Sequence, residues 1–265
     1  CKYNLSNVSD PILVRNDGRF IYTLASVIDD IDFNITHIIR GEDHVTNSAV
    51  QMQIFDVIGS SRPKMAHLSL ITDAKGEGLS KRIGSLSLED LKKEEIESIS
   101  LNSYLSSIGT SKNVMLYDNL KEIVKDFEIN NFSRAPTKFN FNELKVLNTK
   151  FIQQLDYSEF QSKFNIVNLK FNEKTWNIIR KNISSFNELS EWNEIIYGQL
   201  FNNEIDKKIK EVFFKSLPDE EFNQNTWRNW SNEIKANLKM KNNEIFKSLR
   251  KVLTGRQSGP EMTDL

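Results

Sequence analysis

Along the first third of the chain, short apolar runs alternate with longer amphipathic ones, and turn-forming residues separate them. Asn16-Asp17-Gly18 is a tight-turn signal, and Arg19–Leu24 after it reads as a strand or a strand-to-helix transition. Ile35–Ile39 is β-branched and apolar on both faces, the pattern of a buried parallel strand. Thr46 or Asn47 can cap the next segment, in which Val50, Ile54 and Ile58 recur every fourth residue before a terminating Gly59. Met65–Thr72 reads as a second apolar strand, and Asp73–Gly78 as a turn-prone loop. This order of elements is that of a doubly wound α/β domain.

From Ser87 onward the period becomes helical. Ser87 with Asp90 fits a capping box. Ser98–Ile108 is expected to bury Tyr104, Leu105 and Ile108 on one face and to stop at Gly109. Asp118 is placed to cap a helix with Leu120, Ile123, Val124 and Phe127 on its apolar face. Beyond residue 150 the apolar clusters have helical spacing, as in Ile209, Val212, Phe213 and Leu217, or Ile245, Leu249, Val252 and Leu253. Gly255 closes the last of these, with Arg250 and Lys251 in its final turn. No internal repeat or low-complexity tract interrupts the chain. The fold class is α/β followed by all-α.

Composition narrows the function. At about 150 residues per domain, 265 residues suggest roughly two domains. Apolar residues make up 38%, enough for a core, and no apolar run is long enough to cross a membrane. One Cys excludes a disulfide framework and a cysteine zinc site, and fits a reducing cytoplasm. A net charge of −1 excludes a generic polycation, so nucleic-acid contact must come from local patches. One such stretch is Ser231–Arg256, where seven cations face two acids. It is either a phosphate-contacting surface or an ordinary charged helical face. The chain opens Cys1-Lys2-Tyr3 without an initiator Met and ends soon after Gly259-Pro260, and so reads as a piece of a longer protein.

Two loops carry candidate chemistry, each after a predicted parallel strand, where open α/β sheets bind ligands. In Arg40-Gly41-Glu42-Asp43-His44, Arg40 can pair with a carboxylate ligand while Glu42 and Asp43 hold hydroxyls or amines. The alternative is a solvated helix approach with its own ion pair. In Gly76-Glu77-Gly78-Leu79-Ser80-Lys81-Arg82, glycines precede adjacent cations, which suits a loop closing on a polyphosphate. An exposed basic turn is the alternative, and the spacing is not that of a Walker A loop. His37 reads as a core or strand-end histidine, and His44 and His67 make no metal site without Cys partners. Asp29, Asp30 and Asp32 read as a solvated acidic loop, and Trp176, Trp192, Trp227 and Trp230 as mostly core.

Taken in order, the two loops, Tyr22-Thr23-Leu24-Ala25-Ser26-Val27-Ile28-Asp29-Asp30, Ala66-His67-Leu68 and Leu253-Thr254-Gly255-Arg256 with Ser258-Gly259-Pro260 resemble the glutamyl-tRNA synthetases. The resemblance runs from residue 10 to the end and implies the second half of a Rossmann-type catalytic domain at 1–85. It further implies a stem-contact helical region at 86–150 and a helical anticodon-binding domain at 151–265. By resemblance, Tyr22, Ser26 and Arg40 line the amino-acid pocket, with Arg40 facing the substrate side-chain carboxylate. Leu70 and Ile71 would hold adenine through backbone groups, with Asp43 and Lys81 also on ATP. Ser80, Lys81 and Arg82 match the end of the family's Lys-Met-Ser-Lys-Ser signature and would be catalytic. Gly78 replaces the first Lys of that signature, Thr23 stands where many members carry His, and no His-Ile-Gly-His motif occurs.

The function so implied is glutamate–tRNA ligase, a class I aminoacyl-tRNA synthetase. Its partners would be L-glutamate, ATP with Mg²⁺ on the phosphates, and the glutamate tRNA. A cytoplasmic monomer without zinc in this portion is expected, and the chain by itself should be inactive. A non-catalytic tRNA-binding module is the alternative. A shorter paralogue that glutamylates a tRNA base would lack the helical region after 150.

Overall fold

The computed structural model describes residues 10–73, 75–78, 87–163, 169–198, 207–219, 222–223, 225–238 and 242–265. They fall into two compact units, one of residues 1–86, 103–115 and 119–140, the other of 87–102, 116–118 and 141–265.

The first unit begins with the expected turn. Gly18 takes a φ of +83°, its N–H donates to the Arg15 carbonyl (2.9 Å), and Val14 bridges Phe20 in antiparallel fashion. The segment after it is a strand-to-helix transition into α1 (Tyr22–Asp32). Strand β1 (His37–Gly41) leads through a 3-10 turn (Glu42–His44) into α2 (Val45–Ile58), which returns the chain to β2 (Lys64–Leu68). β1 and β2 are parallel, with Arg40 opposite His67, so β1-α2-β2 is a crossover unit. Helices α1 and α2 pack together, and Val27, Val50, Ile54 and Phe55 form the core between them, joined by Leu13, Leu24 and Ile31. Gly59 caps α2 at a φ of +80°.

Several details differ from the sequence pattern. β1 is parallel but not buried on both faces: Ile39 is 55% exposed, because β1 and β2 form a sheet of two strands among the described residues. No side-chain cap starts α2; the 3-10 turn feeds it directly, and Asn47 instead bonds the His44 ring. The expected strand Met65–Thr72 is broken at Ser69-Leu70. Its second part, β3 (Ile71–Thr72), leaves β1 and pairs in parallel with β4 (Thr137–Lys138). Asp29, Asp30 and Asp32 lie in the last turns of α1 rather than in a loop.

Helix α3 (Leu88–Lys93) starts with the expected capping box, both halves formed between Ser87 and Asp90. Helix α4 (Ser98–Ser107) buries Tyr104 with Ser100, Ser103 and Ser107, leaving Leu105 partly exposed. Helix α5 (Leu120–Asp126) is capped by Asn119, one residue after the expected Asp118, and buries Ile123 while Val124 is 67% exposed.

In the second unit the chain is helical: α6 (Phe141–Gln154), α7 (Tyr157–Lys163), α8 (Glu173–Ile179), α9 (Glu188–Tyr197), α10 (Lys207–Lys215), α11 (Thr226–Asn237) and α12 (Asn242–Thr254). One core gathers Phe160, Trp176, Ile179, Leu189 and Trp192, with Phe160 stacked on Trp176 at 3.8 Å and the Trp176 indole N–H on the Leu155 carbonyl. A second gathers Phe213, Trp230, Ile234, Ile245 and Leu249. Three of the four tryptophans are buried, as expected; Trp227 is partly buried against the second core.

Candidate functional site

Four elements of the first unit converge at the carboxyl end of β1. Tyr22 and Ser26 lie one turn apart on α1, so their side chains share a face. Ser48 and Gln51 do the same on α2. Arg40 comes from the end of β1, and His67 stands opposite it on β2.

The Arg40 guanidinium organises the cluster. Its Nε and Nη2 donate to Ser48 Oγ at 3.2 and 2.6 Å, and Nη2 also donates to Gln51 Oε1. Among the described residues Nη1 reaches only the Tyr22 hydroxyl, at 3.4 Å. Gln51, 1% exposed, passes the network on by donating from Nε2 to Ser26 Oγ at 2.6 Å. Ser48 Oγ lies 3.0 Å from the His44 carbonyl and 2.6 Å from His67 Nε2. Among the described residues the groups bonded to Arg40 are two hydroxyls and an amide, and no carboxylate is within ion-pair distance of it. A cation so held retains its attraction for an incoming anion.

Charge and burial set the ionisation of two neighbours. Desolvation, then Arg40 and His44, hold His67 below the ordinary imidazole range, which favours a neutral ring beside Ser48. Burial pushes the Asp30 carboxyl up, partly offset by Arg40 and reinforced by Asp29.

The nucleotide-side candidates lie close by. Gly41 sits between the Asp43 carboxylate and the Leu70 side chain; a Cβ there would run into Asp43 and come within 3.4 Å of Leu70 Cδ2. Asp43 is exposed, 3.9 Å from His44 Nε2. Leu70 precedes β3, its carbonyl accepting the Thr137 N–H at 3.0 Å, and Ile71 opens β3. In the following loop the Asp73 carboxylate accepts the N–H groups of Lys75 and Glu77, Gly76 turns at a φ of +86°, and Gly78 bridges back to Thr72. Ser80, Lys81 and Arg82 lie outside the described residues. No group of three His, Cys, Asp or Glu side chains converges as a metal site among the described residues.

The structure thus brings Tyr22, Ser26 and Arg40 together and sets Asp43 beside Leu70. It adds Ser48 and Gln51, which the sequence reading passed over as helix residues, and His67, which it read within Ala66-His67-Leu68 but not beside Arg40. Only the register of β1 on β2 reveals His67 as Arg40's neighbour.

Comparison with known proteins decides the family. The model of the class I (E and Q) tRNA synthetase catalytic domain matches residues 1–146 of this chain. The chain belongs to this family. Among curated class I synthetases, glutamate–tRNA ligase 1 of Ehrlichia ruminantium (strain Gardel) is 37% identical over 99% of the chain, and glutamate–tRNA ligase 1 of Chelativorans sp. is 39% identical over 99%. The chain spans 59% of the length of each relative. The crystal structure of a glutamate tRNA ligase from Elizabethkingia meningosepticum, in complex with its amino acid, superposes with a TM-score of 0.70 at 20% identity. It covers 99% of this chain and 60% of that one, so this chain shares its fold.

The helical end of the chain places its Leu253-Thr254-Gly255-Arg256 segment in a packing role. Arg256 pairs with Glu188 (2.9 Å) and Glu191, and stacks over the Trp192 ring at 4.9 Å. Burial alone would raise the Glu188 carboxyl, but the Ser184 N–H and Arg256 outweigh it and hold the group low. Gly259 abuts Trp192 and Arg250, where a Cβ would lie 3.0 Å from the indole. No helix among the described residues is long and apolar enough to cross a membrane.

Proposed function

We propose that the protein to which this chain belongs is a glutamate–tRNA ligase. The observation that carries this reading is Arg40, a strand-end guanidinium anchored by Ser48 and Gln51, whose Nη1 is left with one long contact to Tyr22. A substrate side-chain carboxylate accepts from that Nη1 in a charge-assisted bond. Glutamine offers no charge there and leaves the guanidinium uncompensated, which gives the discrimination its physical basis. Tyr22 and Ser26 complete the pocket.

In the same reading, Leu70 and Ile71 present backbone groups to adenine and Asp43 accepts from hydroxyls. Ser80, Lys81 and Arg82 form the catalytic segment, in which Lys81 neutralises the α-to-γ phosphates. Mg²⁺ carried on those phosphates would supply further charge neutralisation. The α-carboxylate of glutamate attacks the α-phosphorus of ATP and pyrophosphate leaves. The terminal ribose hydroxyl of tRNA then attacks the adenylate's carbonyl carbon, and AMP leaves. The chain's contribution is positioning and charge stabilisation.

Within this proposal, residues 1–85 belong to the catalytic domain, 86–150 contact the tRNA stem and 151–265 bind the anticodon. Support for the last assignment comes from a surface cleft lined by Trp227, Phe246, Lys247, Arg250 and Glu261. Aromatic faces beside cations suit unpaired bases.

Glutamate-dependent pyrophosphate exchange and tRNA charging by the full natural protein test the proposal. Arg40→Ala should lower kcat/KM for glutamate by about 100-fold or more, the cost of a lost charge-assisted pair. Lys81→Ala should lower adenylate formation while tRNA binding survives. Wild-type behaviour of both variants would leave the tRNA-binding module as the better account.

A further inference from the structure

We infer that Gln51 is a specificity-determining positioning residue: it fixes the direction of a hydrogen-bond chain from Arg40 to Ser26, so that both ends present donors to the ligand. The inference rests on the ligase reading and deepens it.

The direction follows from the inventory of donors. A guanidinium has N–H groups and no acceptor. The Gln51 side chain must therefore turn its carbonyl oxygen, Oε1, to Arg40 Nη2, and the amide nitrogen is left facing Ser26. That nitrogen can only donate, so Ser26 Oγ accepts at 2.6 Å. With a lone pair occupied by Gln51, the Ser26 hydroxyl proton is turned away from Gln51, which leaves it able to donate to a bound ligand. Gln51 is 1% exposed, so water does not substitute for either bond. Arg40 cannot release Gln51 by swinging aside, because Ser48 holds it through Nε and Nη2 together.

The consequence is a pocket of one polarity. Arg40 Nη1 and the Ser26 hydroxyl both offer hydrogens. A carboxylate accepts from both through its two oxygens. A carboxamide offers one oxygen and one NH₂, and the NH₂ must meet a donor. Gln51 touches no ligand itself; it acts through the two residues that would.

Replacing Gln51 by Glu tests this with almost no change of shape. The new carboxylate accepts from Arg40, takes up its charge, and accepts from Ser26 as well, so the Ser26 proton turns inward and a lone pair faces the pocket. Gln51→Met keeps the volume and removes both bonds. Titration of L-glutamate and of L-glutamine into the full natural protein, wild type and both variants, reads the result without requiring catalysis. Gln51→Glu should weaken glutamate at least tenfold and move the preference toward glutamine. Gln51→Met should weaken glutamate several-fold and shrink the preference without reversing it. If Gln51→Glu does not fold, the Met variant decides by the same ratio. Unchanged glutamate affinity in the variants, or equal losses for both amino acids, overturns the role of Gln51 alone. A wild type that binds neither amino acid overturns the ligase reading and this inference with it.

Discussion

His67 is held neutral between a strand neighbour, Arg40, and a turn residue, His44, with its Nε2 on Ser48. Desolvation leads, and Arg40 and then His44 add to it, so the folded protein resists protonating this ring while the unfolded chain does not. The unfolded imidazole takes its proton near about pH 6.5. Stability linked to His67 is thus complete above that pH and declines as pH falls toward the depressed folded value. His67→Gln, which keeps a side-chain nitrogen near Ser48, should show a shallower fall in Tm than wild type between about pH 7 and about pH 5. Equal slopes would mean that the ring carries no linked proton. Arg40 and its loop stood out in the sequence as a charged residue after an apolar strand. Ser48 and Gln51 did not, and the place of His67 beside Arg40 did not, because a serine and a glutamine on a helix, or a histidine in a strand, show no shared target until register and packing aim them at one guanidinium.

Elements were clearest where one local rule decided them. The Asn16-Asp17-Gly18 turn, the Ser87 capping box and the Gly59 cap all formed as the residues dictate. Faces and ends were less clear. Helix α4 turns its serines and Tyr104 inward because the Tyr104 hydroxyl accepts the Asn140 N–H and its ring meets Phe139 edge-on at 5.3 Å. The Met65–Thr72 run is continuous in sequence, yet its second half pairs with residues 66 positions away, a partner no local pattern reveals. Gly109 marks that junction. It sits at a φ of +77°, and a Cβ would come within 2.6 Å of Thr137 Oγ1, next to β4. Gly109→Ala should cost about 1–3 kcal/mol through backbone strain and this clash. The readout is the denaturation midpoint, which a mere helix end would leave almost unchanged.

At the scale of the molecule, the two units carry separate cores, and the helical one is tied internally by Arg256. The guanidinium spans two carboxylates of one helix face and covers Trp192, joining the chain after α12 to α9. Arg256→Leu should lower stability by about 2 kcal/mol, the scale of a charge-assisted hydrogen-bonded pair. Acid titration adds a second signature. Glu191 is held low chiefly by Arg256, and Glu188 by the Ser184 N–H and Arg256 against its burial. Both favour the folded state above the ordinary carboxylate pKa of about 4.3, and that contribution is lost as pH falls through their folded values. The Arg256→Leu variant should show a smaller loss of stability on acidification, followed by circular dichroism.

The sequence by itself determined the change of period near Ser87, the parallel strands, the buried tryptophans and the Arg40 loop, because periodicity, capping chemistry and glycine turns act over a few residues. Tertiary structure alone decided which face of α4 and α5 is buried, where the strand after β2 goes, and which neutral groups surround Arg40. Those outcomes depend on partners distant in the chain: register sets His67 opposite Arg40, and packing of α1 on α2 lets Gln51 reach Ser26.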